Sequence, residues 1–281
     1  MDIPDEIKKY EAQYAHLRAI DPTRSVSPRS RYMDQWQPST MAGAGQPEII
    51  KTPLTYEVAR MALWIIVRQS LTKECKQFYI HSGNKEKLSH IIRAMIGDID
   101  ETSRYDPTKG IYLYGSYSSG KTWIMRQIIT MIQTASLTMM YDNVSANIMS
   151  ISYKTDIMMR ARKEKSIAFL DDIFRNKDII YIDDIGYEDD SQLVLWGNRE
   201  NIIVHLIDIL HKRYLQGARI HFTSNLQPKH PSASKNCIYK IYGQGTYDRL
   251  IEMTTPILWE RDLNLRTGQH DSPFTPLNTN H

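Results

Sequence analysis

Apolar positions fall into two patterns along the chain, and the change between them outlines the architecture. From Thr55 to about Ile99 the period is helical. Residues 56–67 form one strongly apolar stretch, and residues 84–96 carry a single apolar face behind Asn84, a candidate N-cap. Such helices pack on a core behind them or present a face to a partner, and the sequence leaves both readings open. Further on, short apolar runs bounded by turn residues alternate with amphipathic stretches. Residues 111–114 predict a buried strand, entered through the turn at 106–110 and followed by a helix that begins at Lys121. Residues 137–142 predict a second strand. Residues 143–166 show no strand, only a helical piece at 155–159. An apolar run at 178–182 ends in carboxylates, and a long helix starts at Asn198 or Arg199 and stops at Gly217. Strands are also expected at 219–225 and 255–259. The alternation predicts an α/β fold: a five-stranded, mainly parallel sheet with helices on both faces, preceded by a helical amino-terminal region.

The first 50 residues differ. After a helix-like piece at 6–19 they are rich in Pro, Ser, Gly and Gln, and are expected to form an extended arm or linker of mixed charge. The 281 residues suit one large domain or a core with an appendage. Lys plus Arg number 35 and Asp plus Glu 32, a net charge of +3 too small to argue for nucleic acid by itself, so any basic surface must be local. The two cysteines, Cys75 and Cys237, have no metal-ligand or redox spacing, which fits a reducing compartment. The acidic start of the chain lacks the form of a signal peptide, and residues 61–67 are far short of the roughly 20 apolar residues needed to cross a bilayer. A cytoplasmic protein is expected.

The densest chemistry lies at Gly115, Ser116, Tyr117, Ser118, Ser119, Gly120, Lys121 and Thr122, between the first strand and its helix. A loop in this place can turn consecutive backbone N–H groups toward a triphosphate at the positive end of a helix dipole. Lys121 then reaches the β- and γ-phosphates, and the Thr122 hydroxyl is placed to ligate Mg²⁺. ATP and Mg²⁺ are the expected cofactors.

A second station is the strand ending in Asp183 and Asp184. Carboxylates at the carboxyl end of a sheet strand are placed to meet a ligand. Asp183 is the expected metal-side carboxylate, and Asp184 the group that orients or deprotonates water. Asn225 ends a later strand and could hold that water beside the γ-phosphate. Arg160, Arg162, Lys163 and Lys165 place four positive charges in six residues, either a solvated helix face or a phosphate-contacting patch.

In order, the phosphate loop, the Asp183-Asp184-Ile185-Gly186 strand end, Thr223-Ser224-Asn225 and Tyr247-Asp248-Arg249-Leu250 resemble AAA+ ATPases of the DnaC/IstB group. That group comprises bacterial and phage helicase loaders and relatives in insertion-sequence transposition. The likeness covers about residues 105–262. It implies that Asn225 is the sensor 1 asparagine, and that Arg249 is the arginine finger reaching a neighbouring subunit's γ-phosphate. It also implies that the 143–165 segment lines a channel for single-stranded DNA, with Arg160, Arg162, Lys163 and Lys165 as phosphate contacts. The chain has Asp183-Asp184 where many AAA+ proteins have Asp-Glu, so slow hydrolysis is expected, with ATP acting partly as an assembly switch. No clear sensor 2 helix follows, and Arg261 and Arg266 are weak candidates for that part.

The resulting division is an arm at 1–54, a helical partner-binding or packing region at 55–100, an AAA+ domain at 101–266 and a flexible tail at 267–281. The expected function is ATP-dependent loading or remodelling of a replicative helicase on DNA by a homo-oligomer. The alternative is a transposition helper that assembles on duplex DNA and selects targets for a transposase. A small-molecule kinase would use the same loop, but no arginine-rich acceptor lid is evident.

Overall fold

The structure is a computed structural model that describes residues 53–74, 82–98, 106, 108–137, 148–151, 154–164, 166–186, 192–195, 198–230, 237–260, 263–264 and 269–270. Residues 1–52 of the predicted amino-terminal arm, with its 6–19 helix, and Cys75, Lys165, Arg261, Arg266 and the tail from 271 lie outside the described residues. No helix among those described is long and apolar enough to cross a membrane.

Two helices come first, α1 (Tyr56–Glu74) and α2 (Lys85–Ile96). Strand β1 (Gly110–Tyr114) leads through the phosphate loop into α3 (Lys121–Leu137). Then follow β2 (Ile148–Ile151), α4 (Lys154–Glu164), α5 (Phe169–Phe174) and β3 (Ile179–Ile185). A hairpin of β4 (Gln192–Leu195) and β5 (Asn198–Asn201) precedes α6 (Ile202–Leu215) and β6 (Arg219–Ser224). The chain continues through α7 (Ile238–Met253) and β7 (Thr254–Leu258) to a short pairing of β8 (Leu263–Asn264) with β9 (Gln269–His270).

The main sheet has five strands in the order β2-β3-β6-β1-β7, and every pairing is parallel. Both faces are covered, so strand residues sort by parity into two cores. Ile111, Leu113, Ile179, Tyr181 and Ile257 pack with α1, α2 and α3. Tyr112, Ile180, Ile182, Ile220 and Phe222 pack with α4, α5, α6 and α7. The period of two then carries Asp183 to the face of α3, where Thr122 and Arg126 stand.

The apolar faces of α1 and α2 turn to this core: Ala59, Leu63, Ile66, Ile92 and Met95 are buried with Ile128 and Ile132 of α3. Packing is therefore the role of these described faces. Leu54, placed by sequence in the arm, is also buried there. Asp98 accepts from the Tyr56 backbone N–H at 2.6 Å, and the Arg93 guanidinium lies 4.3 Å from the Tyr56 ring centroid, which fixes the two helices against each other.

Several expectations change. Leu137 ends α3 instead of opening a strand, residues 138–147 lie outside the described residues, and the strand beside β3 is Ile148–Ile151, within the stretch expected to lack one. Short apolar runs have no period to separate one from another, and pairing with β3 decides. The long helix begins at Ile202, not at Asn198 or Arg199. Asn198–Asn201 are used as a strand, and the Asn201 side chain caps the helix by accepting from the Ile203 N–H at 2.9 Å. Asn84 has no side-chain cap bond. Its amide instead donates to Glu260 O at 2.8 Å and accepts from Glu260 N–H at 2.9 Å, across 176 positions.

His221 lies fully buried in β6, where its Nδ1 accepts from the Ile111 N–H at 3.2 Å. Burial first, and then the nearby Arg219, depress its pKa from 6.5 to about 3. Between those values the unfolded chain takes up a proton that the folded chain refuses. Stability is thus fully present above pH 6.5 and is lost as pH falls toward 3. In His221→Asn, whose Oδ1 can accept the same N–H, unfolding free energies from urea titrations between pH 7 and 5 are expected to fall less steeply than in the wild type, by on the order of 1 kcal/mol per pH unit. Equal slopes would show that His221 does not set the acid limb.

Candidate active site

The phosphate loop is held from beneath by the last sheet strand. A Cβ on Gly115 would lie 2.3 Å from the Trp259 carbonyl oxygen, so this backbone approach requires glycine. Trp259 N–H donates to Tyr114 O at 2.7 Å, and its indole N–H donates to Ser119 O at 3.0 Å. At the helix entrance Gly120 has φ of +85°, in the left-handed region. Ile124 N–H reaches Gly120 O at 2.9 Å and closes the first turn of α3. Ser116 and Tyr117 are exposed at the top of the loop.

Lys121 is buried at the base. Its ammonium donates to Gly115 O at 3.0 Å, Ser116 O at 2.7 Å, Ser119 Oγ at 3.2 Å and Asn225 Oδ1 at 3.0 Å. An ammonium offers donors only, so the amide oxygen of Asn225 must face it. The Asn225 amide nitrogen then donates to Asp184 Oδ1 at 2.8 Å. One amide thus connects the loop lysine to the second carboxylate.

Asp183 is fully buried. Its Oδ1 accepts from Thr122 Oγ1 at 2.8 Å, from the Tyr181 hydroxyl at 2.8 Å and from Thr223 Oγ1, while Arg126 lies 3.4 Å from Oδ2. Burial and then the Asp183 charge push the Tyr181 phenol well above its ordinary pKa, so it stays protonated and remains a donor. Thr223 also accepts the Asp184 N–H at 2.9 Å, which joins the two acids through one hydroxyl. Asp184 has φ of +55°, and the β3–β6 register shifts between Ile182 and Ile185. That irregularity turns Asp184 out of the strand's alternation toward Asn225.

The structure therefore brings together Lys121, Thr122, Asp183, Asp184 and Asn225, the residues singled out from sequence around the loop. Arg249 stands on α7 and pairs with Asp208 of α6 at 3.1 Å, both side chains partly exposed. Of the basic cluster, Arg160 is bonded to Glu164 at 2.7 Å and lies 4.4 Å from the Phe169 ring centroid, and Lys163 is exposed. Arg162 lies within α4 with its side chain outside the description. Sequence reading overlooked Tyr181, Thr223, Arg126 and Trp259. Strand spacing of two from Asp183 and helical spacing of four from Thr122 could have pointed to Tyr181 and Arg126. For Trp259 there is no local signal.

The donors around Asp183 suit a hard cation. They are carboxylate and hydroxyl oxygens, and Mg²⁺ usually binds through one or two carboxylates together with substrate phosphates and water. Among the described residues no group of three or more His, Cys, Asp or Glu forms an all-protein metal cage. The residues present fit Mg²⁺ bound with a nucleotide.

No curated protein matches the sequence. Among solved structures the chain is similar to DnaI, with 20% identity over 63% of this chain and 92% of that one and a TM-score of 0.39. It is similar to AMPPCP-bound DnaA from Aquifex aeolicus, with 16% identity, coverage of 68% and 51% and a TM-score of 0.42, and so spans about half the length of that chain. Similarity to the DnaC helicase loader is 14% over 65% and 94%, with a TM-score of 0.40. The sequence profile of the bacterial DnaA ATPase domain matches residues 73–245, more than half of the chain. With the phosphate loop, the paired acids and Asn225 in one cluster at the sheet's end, this chain belongs to the bacterial DnaA ATPase-domain family of AAA+ ATPases.

Proposed function

We propose that the protein is an ATP-dependent DNA replication factor that loads or remodels a replicative helicase, hydrolysing ATP slowly between subunits. The observation that carries the ATPase part is the continuous chain of contacts Lys121–Asn225–Asp184 beside Thr122–Asp183. The ordered motifs support the replication part.

In this reading the loop N–H groups and Lys121 hold the triphosphate, with Lys121 exchanging carbonyl acceptors for phosphate oxygens. Thr122 and Asp183 would hold Mg²⁺. When bound, that ion screens charge on the phosphoryl oxygens. Asp184 orients the attacking water and accepts its proton, and Asn225 fixes Asp184 relative to the γ-phosphate. The amide donor on Asp184 and its short side chain both favour slow turnover. Arg249 serves a neighbouring subunit: its fork leaves Asp208, a partly exposed pair that costs little to break, and meets the γ-phosphate across the interface. Lys163, Arg160, Arg162 and Lys165 supply phosphate contacts for single-stranded DNA.

ATPase rate and assembly size, measured without DNA and with single-stranded or duplex DNA, test the reading together with capture of a replicative helicase. Stimulation by single strands and helicase capture are expected. Filaments on duplex DNA that capture a transposase instead would replace it with the transposition helper.

Lys121→Ala should weaken ATP binding by at least about tenfold, since it removes charged hydrogen bonds. Asp184→Asn should leave nucleotide affinity near wild type while kcat drops about 10²-fold or more. Comparable loss of affinity in both variants would contradict this division of labour.

Arg249→Ala is expected to bind ATP normally but to lose about 10³-fold in assembly-stimulated hydrolysis. Mixing it with Lys121→Ala subunits should restore part of the activity, because each variant supplies what the other lacks. Full hydrolysis by Arg249→Ala alone would remove the residue from the interface chemistry.

A further inference from the structure

We propose that Tyr181 is a positioning residue for the metal-side carboxylate, holding Asp183 in the orientation that Mg·ATP requires. The inference rests on the reading above and adds a residue that no motif of the phosphate-loop ATPase assigns to this sequence.

The argument begins with the strand. Along β3 the face toward α3 carries Ile179, Tyr181 and Asp183, and Ile179 and Tyr181 belong to the apolar cluster formed with α1, α2 and α3. A leucine or isoleucine at 181 would fill this layer without a polar atom. The phenol is fully buried, and a hydroxyl there costs free energy unless it finds a partner. Its partner is Asp183 Oδ1 at 2.8 Å, two positions along the same strand face. This spacing makes the contact rigid, because both side chains rise from one pleat and the ring is clamped by packing.

The carboxylate is loaded unevenly. Oδ1 receives Thr122, Tyr181 and Thr223, whereas Oδ2 has the Arg126 contact at 3.4 Å. Of the three donors on Oδ1, Thr122 belongs to the phosphate loop and is itself an expected metal holder. Tyr181 and Thr223 belong to the sheet. They fix the plane of the carboxylate whatever Thr122 does, so the acid does not have to be ordered when Mg·ATP arrives. Groups that orient a metal-holding carboxylate in this way typically affect metal affinity more than fold.

Tyr181→Phe removes only the hydroxyl. Tyr112→Phe is the matched control, because Tyr112 is equally buried in β1, two strands away and on the other face of the sheet, and donates to Leu226 O at 2.7 Å, away from Asp183. Binding of a fluorescent ATP analogue is measured in EDTA and over a Mg²⁺ series, with steady-state hydrolysis alongside. Tyr181→Phe is expected to bind the analogue normally in EDTA and to need roughly tenfold more Mg²⁺ for half-maximal enhancement of binding. At saturating Mg²⁺ its KM for ATP should stay near wild type while kcat falls. Tyr112→Phe should lower the melting temperature with no change in Mg²⁺ dependence. If Tyr181→Phe does not fold, Thr223→Val removes another donor from the same oxygen and should shift the Mg²⁺ requirement in the same direction. An unshifted Mg²⁺ series, or one shifted equally in Tyr112→Phe, overturns the inference and leaves the ATPase reading standing. A wild-type protein that binds no nucleotide removes both.

Discussion

A fully buried carboxylate is the constraint to which the rest of this structure answers. Asp183 has no access to water, and an ionised group in that position is tolerated only when its oxygens are met by donors. The fold supplies them from three directions: Thr122 from the phosphate loop, Tyr181 from the same strand and Thr223 from the strand beside it, with Arg126 of α3 approaching the second oxygen. Each donor depends on a feature of the sheet. The parity of β3 turns Tyr181 and Asp183 toward α3, the parallel pairing with β6 brings up Thr223, and the β1–loop–α3 connection presents Thr122.

The same site is coupled to α2 and the residue that precedes it through Trp259 and Glu260. Trp259 holds the loop at Tyr114 and Ser119, while the next residue, Glu260, is clasped by the Asn84 amide and by Lys87 at 2.6 Å. The helical layer at the amino terminus is therefore tied to the floor of the phosphate loop by two consecutive residues. On the other side, β7 continues directly from α7, the helix that bears Arg249 and is broken at Gly243, where φ is +84°. Hydrogen bonds link the loop to Trp259, from which the chain runs back through β7 to Arg249 and on through Glu260 to Asn84 and α2.

How far these relations could be read from sequence depended on how local they are. The phosphate loop, Asp183, Asp184 and Asn225 were legible because backbone turn, strand end and side-chain type sit within a few residues of each other, and the structure gathers them. The sheet's size and parallel character followed from alternation of strands and helices. What was missed is non-local. Nothing in the short run Ile148-Met149-Ser150-Ile151 distinguishes it from the run at 137–142 until β3 is present to pair with it. Asn84 has the look of a helix cap, yet its amide satisfies a backbone 176 positions away. The β4–β5 hairpin displaced the start of α6 because polar residues 198–201 form strand pairs that propensity does not favour. Tyr181 is the local exception: it stood inside the apolar run at 178–182, and its partner Asp183 is only two positions along the same strand.

The most direct test of the account is a structure of the protein with Mg²⁺ and AMPPCP. The account predicts the triphosphate in the loop at residues 115–122, with Lys121 Nζ moved from the Gly115 and Ser116 carbonyls to phosphate oxygens. Asn225 and Asp184 should face the γ-phosphate, and the metal should lie beside Thr122 and Asp183 while Tyr181 keeps its bond to Asp183. Nucleotide bound elsewhere, or Lys121 unchanged with the metal away from Asp183, would contradict it.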